Sequence, residues 1–92
     1  MIKSFKHKGL ENLFYDATKK LINPQHVEKL ERILDRLNSA SEIQDMRYPG
    51  SGLHLLEPKK HGRWAVTVSG NWRVTFKFKE GNAYDVDYKD YH

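Results

Sequence analysis

The chain has 92 residues, no cysteine and a formal charge of +4, from 16 Lys and Arg against 12 Asp and Glu. That length fits one domain over residues 1–92, and the absence of thiols excludes disulfide staples, thiolate catalysis and cysteine-held metals. No apolar run reaches membrane-span length and the opening MIKSFKHKG has no apolar signal core, so a cytoplasmic protein without membrane association is expected.

In chain order, Ile2 to Phe5 reads as a short edge strand, with Lys3 as the charge that discourages stray pairing. Leu10, Leu13, Phe14, Ala17 and Leu21 recur at helical spacing and predict a first amphipathic helix. Asn23-Pro24 is a restart signal, an Asx cap followed by a proline at the first helical position. Val27, Leu30, Ile33, Leu34, Leu37 and Ala40 then form the apolar stripe of a second helix, with i,i+4 pairs such as Glu28–Arg32 available on its surface. Residues 44–52 read as a connector around Pro49-Gly50.

The remainder alternates with a period of two. Leu53 to Leu56 is a short extended segment ended by Pro58, and Lys59-Lys60-His61-Gly62-Arg63 is a basic loop. Trp64, Val66 and Val68 share one face of a strand. Trp72, Val74, Phe76 and Phe78 share one face of the next, leaving Arg73, Thr75, Lys77 and Lys79 opposite. After a Glu80-Gly81-Asn82 turn, Tyr84, Val86 and Tyr88 repeat the pattern, with Asp85 and Asp87 opposite. The fold class that follows is α+β: a small antiparallel sheet with two N-terminal helices packed on its aromatic face and its charged face open to solvent.

Residues fit for chemistry gather on that charged face. Arg73, held mid-strand, presents a fixed guanidinium fork suited to phosphate oxygens, or else pairs with Asp85 or Asp87 across the hairpin. If Leu53 and Leu55 face the core, His54 faces the charged side, and imidazole moves protons near neutral pH. Tyr91 and His92 follow the last strand directly. Lys59, Lys60, His61 and Arg63 in the basic loop, with Lys77 on the sheet, are candidates for binding backbone phosphates; solvated surface charge is the plainer reading. No histidine pair at metal-binding spacing, no tight carboxylate cluster and no glycine-rich phosphate loop occurs, so neither a metal nor a cofactor is expected.

These residues resemble a known family. Leu53-His54, the strand begun by Trp64, Asn71-Trp72-Arg73-Val74-Thr75-Phe76 and the terminal Asp90-Tyr91-His92 resemble the HigB toxins of the RelE/ParE superfamily, over essentially all 92 residues. The resemblance implies a RelE-like fold and a ribosome-dependent endoribonuclease that cuts mRNA in the 30S decoding site, partnered by a HigA-type helix-turn-helix antitoxin. It places the catalytic residues on His54, Arg73, Tyr91 and His92. A family lysine falls where this chain has Glu57, a departure that puts the basic loop's part in question.

The chemistry itself needs no metal. RNA brings its own 2′-OH nucleophile, so a base, an acid and a cation for the phosphorane suffice. Products would be a 2′,3′-cyclic phosphate or 3′-phosphate and a 5′-OH. Two competing readings are a toxin of the same fold with a non-mRNA target such as DNA gyrase, which does not need the histidines, and a non-catalytic RNA- or ribosome-binding module.

Overall fold

A computed structural model of the chain describes residues 1–56 and 62–91. Its first helix, α1 (Lys8–Asp16), begins at His7, whose extended backbone turns the chain and whose Nδ1 accepts the Leu10 N–H at 3.2 Å. Leu10 and Leu13 are buried under it. The helix stops at Ala17, which adopts a left-handed φ of 55°, while the Ala17 and Thr18 N–H groups return to the carbonyls of Leu13 and Asn12. The predicted extension to Leu21 is therefore wrong. Leu21 has a φ of 67° and is 71% exposed, and its neighbour Ile22 takes the core position. Leu21 continues the apolar period from Ala17, so spacing alone cannot reveal the stop.

Asn23 does cap the restart, accepting the Gln25 N–H at 2.9 Å. It heads a single 3-10 turn, Pro24–His26, that runs straight into α2 (Val27–Ser39). Val27, Leu30, Ile33, Leu34 and Leu37 are buried along α2 as predicted, with Ala40 just beyond. The Glu28–Arg32 pair is not among the ion pairs of the described residues. The connector after α2 contains a second 3-10 turn, Ile43–Met46, capped by Asp45, whose carboxylate accepts the N–H groups of Ser41 and Glu42. Those two bonds hold the Asp45 carboxyl below its usual range.

Four strands, β1 (His54–Leu55), β2 (Arg63–Ser69), β3 (Trp72–Lys79) and β4 (Asn82–Asp90), form one antiparallel sheet in the order β1-β2-β3-β4. Val66, Val68, Val74, Phe76, Ala83, Val86 and Tyr88 meet the apolar stripes of both helices in one continuous core, with Phe76 wholly buried. The two-helix, one-sheet architecture is the α+β, RelE-like arrangement expected from the sequence. No helix among the described residues is long and apolar enough to cross a membrane.

Besides a shift in the β2–β3 register between Thr67 and Ser69, two details of the sheet depart from simple alternation. The first is a bulge at Asp85, which has a φ of 52° and shifts the β3–β4 register between Thr75 and Lys77. Beyond it Tyr84 lies opposite Lys77 and Ala83 opposite Phe78, so Tyr84 belongs to the charged face and Ala83 to the core. The prediction that Tyr84 shares a face with Val86 and Tyr88 is corrected accordingly. Serine at position 4 makes the bulge tolerable: its Oγ accepts the Asp85 N–H at 2.9 Å and its carbonyl accepts the Val86 N–H.

The second departure is at the sheet margins. The expected N-terminal strand appears as two parallel bridges, Ile2 to Ala83 and Phe5 to Val86, along the outer edge of β4. At the opposite margin, beside the two-residue β1, Leu53 is buried but Leu55 is 49% exposed.

Candidate active site

Directly paired residues in an antiparallel sheet point to the same side. On the side away from the helices this gives three rows. His54, Ala65, Thr75 and Asp87 lie in line across all four strands; Thr67, Arg73 and Lys89 form the row toward the β2–β3 turn; Arg63, Lys77 and Tyr84 form the row on the other side. Ala65 and Thr75 are fully buried and Asp87 nearly so, so the rows frame a small-residue floor ringed by cations. Two strand spacings and two residues along separate His54 from Arg73, about 12 Å between backbones. Both side chains are long enough to converge on one nucleotide.

Arg73 does not pair with Asp85 or Asp87. Its Nη1 donates to the carbonyls of Gly70 at 2.6 Å and Trp72 at 3.0 Å, which fixes the guanidinium against the β2–β3 turn. The two aspartates are engaged by lysines instead, Lys77 with Asp85 at 3.8 Å and Lys89 with Asp87 at 3.9 Å. Asp87 is itself steadied by the Tyr88 N–H at 2.9 Å. Arg73 and Lys89 thus sit directly opposite each other on neighbouring strands, a like-charge pair that is unfavourable by itself and favours an anion between them.

His54 is exposed, and its Nδ1 lies 2.9 Å from the Gly52 carbonyl. A carbonyl only accepts, so Nδ1 carries the proton and the neutral ring keeps its lone pair at Nε2. Gly52 reaches this position with a φ of 54°, and a Cβ there would stand 2.9 Å from Thr67 Oγ1. Glycine is required on both counts. Tyr91, 41% exposed, is tied down through its backbone N–H to the Asn71 carbonyl at 2.8 Å, and Lys89 Nζ lies 6.0 Å from the centre of its ring.

Arg63 turns inward across the open face. Its Nη2 donates to Thr75 Oγ1 at 2.7 Å and to the carbonyl of the bulge residue Asp85 at 2.8 Å, clamping β2 to β3 and β4. His92, Lys59, Lys60 and His61 lie outside the described residues. Among the described residues no group of three or more His, Asp or Glu is placed to hold a metal ion.

A family model described as the RelE-like toxin of type II toxin–antitoxin system HigB matches residues 3–92. The chain belongs to that family. A curated relative, the Endoribonuclease HigB of Proteus vulgaris, is 41% identical over 92 residues, covering 100% of both chains. Membership makes the chain a toxin with an antitoxin partner.

Lys89 and Asp87 are the residues of this face that sequence reading left aside. Alternation put Asp87 on the charged side, but nothing in the spacing gave the register that sets Lys89 opposite Arg73. That register follows from the tight Glu80-Gly81 turn, which sets Lys79 opposite Asn82, and from the Asp85 bulge, which then shifts the pairing by one residue. Tyr84 was missed for the second of those reasons.

Proposed function

We infer that the chain is an endoribonuclease toxin that cuts mRNA on the ribosome without a metal and so stops translation. In this reading His54 Nε2 takes the proton of a ribose 2′-OH, the oxygen attacks the adjacent phosphorus, and the P–O5′ bond breaks. Arg73 and Lys89 balance the charge that builds on the non-bridging oxygens. The leaving 5′ oxygen takes a proton from His92 or Tyr91. The products are a 2′,3′-cyclic phosphate, or the 3′-phosphate after hydrolysis, and a 5′-OH.

The observation that supports this best is the opposed pair Arg73 and Lys89 on the face His54 shares. Lys77 and the basic stretch Lys59, Lys60 and His61 would add phosphate contacts along the message. Arg63 belongs to the same basic rim but acts chiefly by clamping the sheet. Such a spare site gains from a scaffold that bends the mRNA into in-line geometry, and positioning of that kind contributes on the order of several kcal/mol. The 30S decoding site provides it, which places the activity in the cytoplasm. The antitoxin is of the HigA helix-turn-helix type.

Primer-extension mapping of cleavage on purified ribosomes tests the reading. Arg73→Ala should bind ribosomes normally and cleave about 100- to 1,000-fold more slowly. Cleavage of naked RNA at the ribosomal rate, or undiminished cutting by Arg73→Ala, overturns it.

A further inference from the structure

Simple alternation would leave Tyr84 on the core side with Val86 and Tyr88. The Asp85 bulge turns it out instead, opposite Lys77 on the open face, while Ala83 takes the buried place opposite Phe78. Tyr84 is half-buried and, unlike Trp64 and Phe78, is neither in the core nor among the hydrophobics packed against it. Neither its ring nor its hydroxyl has a partner among the described residues. The backbone beside it is fixed all the same. Ser4 Oγ accepts the Asp85 N–H at 2.9 Å, and Arg63 Nη2 donates to the Asp85 carbonyl at 2.8 Å. The Asp85 carboxylate, which would repel an anion, is engaged by Lys77 at 3.8 Å and by the Ser4 hydroxyl at 3.3 Å. A non-glycine residue at a φ of 52° thus holds an aromatic ring away from the core, in a row whose other members are Arg63 and Lys77.

We propose that Tyr84 is a stacking platform for one unpaired base of the message, set a few nucleotides from the cut. The proposal rests on the cleavage reading above and adds a subsite to it. Proteins hold single-stranded RNA by combining cations along the backbone with aromatic rings on which splayed bases stack. This row supplies both, Lys77 for a phosphate and Tyr84 for the base. Four residues of β3 separate Lys77 from Arg73, about 13 Å. A single strand rising about 3.4 Å or more per nucleotide covers that distance within about four nucleotides. A tyrosine ring turns about only two torsions, so fixing it under a base costs little entropy. Every base has a π-face, so the platform grips the message without reading its sequence. An apolar protein side chain would also cover the ring, but the cations of this row and of the Arg73–Lys89 row favour a polyanion.

The test is single-turnover cleavage of a short message on purified ribosomes, with the full chain titrated to saturation. It compares wild type with Tyr84→Leu, which keeps apolar bulk on the strand but has no π-face, and with Tyr84→Phe, which keeps the ring. Thermal melts confirm the fold of each. Tyr84→Leu should raise the half-saturating toxin concentration about tenfold and leave the rate at saturation within about twofold. Tyr84→Phe should match wild type. The message is also made with an abasic nucleotide at each place in turn within about four nucleotides of the cut. At one place the missing base should weaken wild type about as much as Tyr84→Leu does, and the two changes together should cost no more than either alone. Full additivity at every place overturns the proposal, as does a Tyr84→Phe loss equal to that of Tyr84→Leu. If Arg73→Ala is slow while Tyr84→Leu behaves as wild type, the platform alone is lost. If Arg73→Ala cuts at the wild-type rate, the cleavage reading fails and the platform falls with it.

Discussion

Arg73 and Lys89 face each other across one strand gap, and among the ion pairs of the described residues Lys89 is paired, with Asp87. Lys89→Ala should therefore slow cleavage by about tenfold, less than Arg73→Ala, because a flexible ammonium holds phosphate as a point charge while the guanidinium is bolted to the Gly70 and Trp72 carbonyls. Single-turnover assays at saturating ribosome separate that loss from weaker binding. A different set of residues governs the response to alkali. Burial raises the Tyr48 phenol above its usual 10.0, against a smaller opposing effect of Arg36. Burial raises Tyr88 too, helped by Asp90 and opposed by the Asn23 backbone. Because the folded chain holds these protons to higher pH than the unfolded chain, their contribution is complete below 10.0 and is lost as pH climbs through the folded values. Thermal midpoints should stay level into mildly alkaline buffer and fall above pH 10.0. Tyr48→Phe, which also deletes an unpaired buried hydroxyl, should soften the fall and stabilise the protein by about 1 kcal/mol at neutral pH.

At the scale of elements, much of the architecture was legible because the apolar periods are strong. The stripe Val27–Leu37 and the alternation from Trp64 to Phe78 each have one buried face, and the structure buries it. His54 and Arg73 fell on the open face for the same reason. What escaped were features set by backbone geometry rather than by side-chain pattern. Ala17 stops α1 in a conformation usually given to glycine. Asp85 adds a residue to β4 with no compositional signature, and its partners, Ser4 and Arg63, are remote in sequence. Gly52 was visible as a residue but not as the donor-fixing carbonyl of His54. Since it alone fits beside Thr67, Gly52→Ala should cost about 1–2 kcal/mol in stability and displace β1 with His54 on it. Cleavage should fall further than ribosome binding does, read by paired binding and rate measurements.

At the scale of the molecule, one core serves both layers, and 92 residues leave little of it to spare. Phe76 lies wholly inside it, on the strand that carries Arg73 on its other side. Phe76→Ala should cost about 3–5 kcal/mol, a large part of the stability of a domain this size, and urea titration should show the midpoint falling accordingly.

The bridges from Ile2 and Phe5 to β4 have a consequence for the chain while it is being made. Apart from the Ile2 N–H, which donates to Asn38 Oδ1 on α2, the opening segment is bonded mainly to the final strand, through bonds such as Lys3 N–H to the Ala83 carbonyl and Lys6 N–H to that of Val86. Lys89 and the anchor for Tyr91 arrive with that same strand. During synthesis the chain therefore lacks both its fourth strand and its full cationic face until β4 has emerged and joined residues made at the outset.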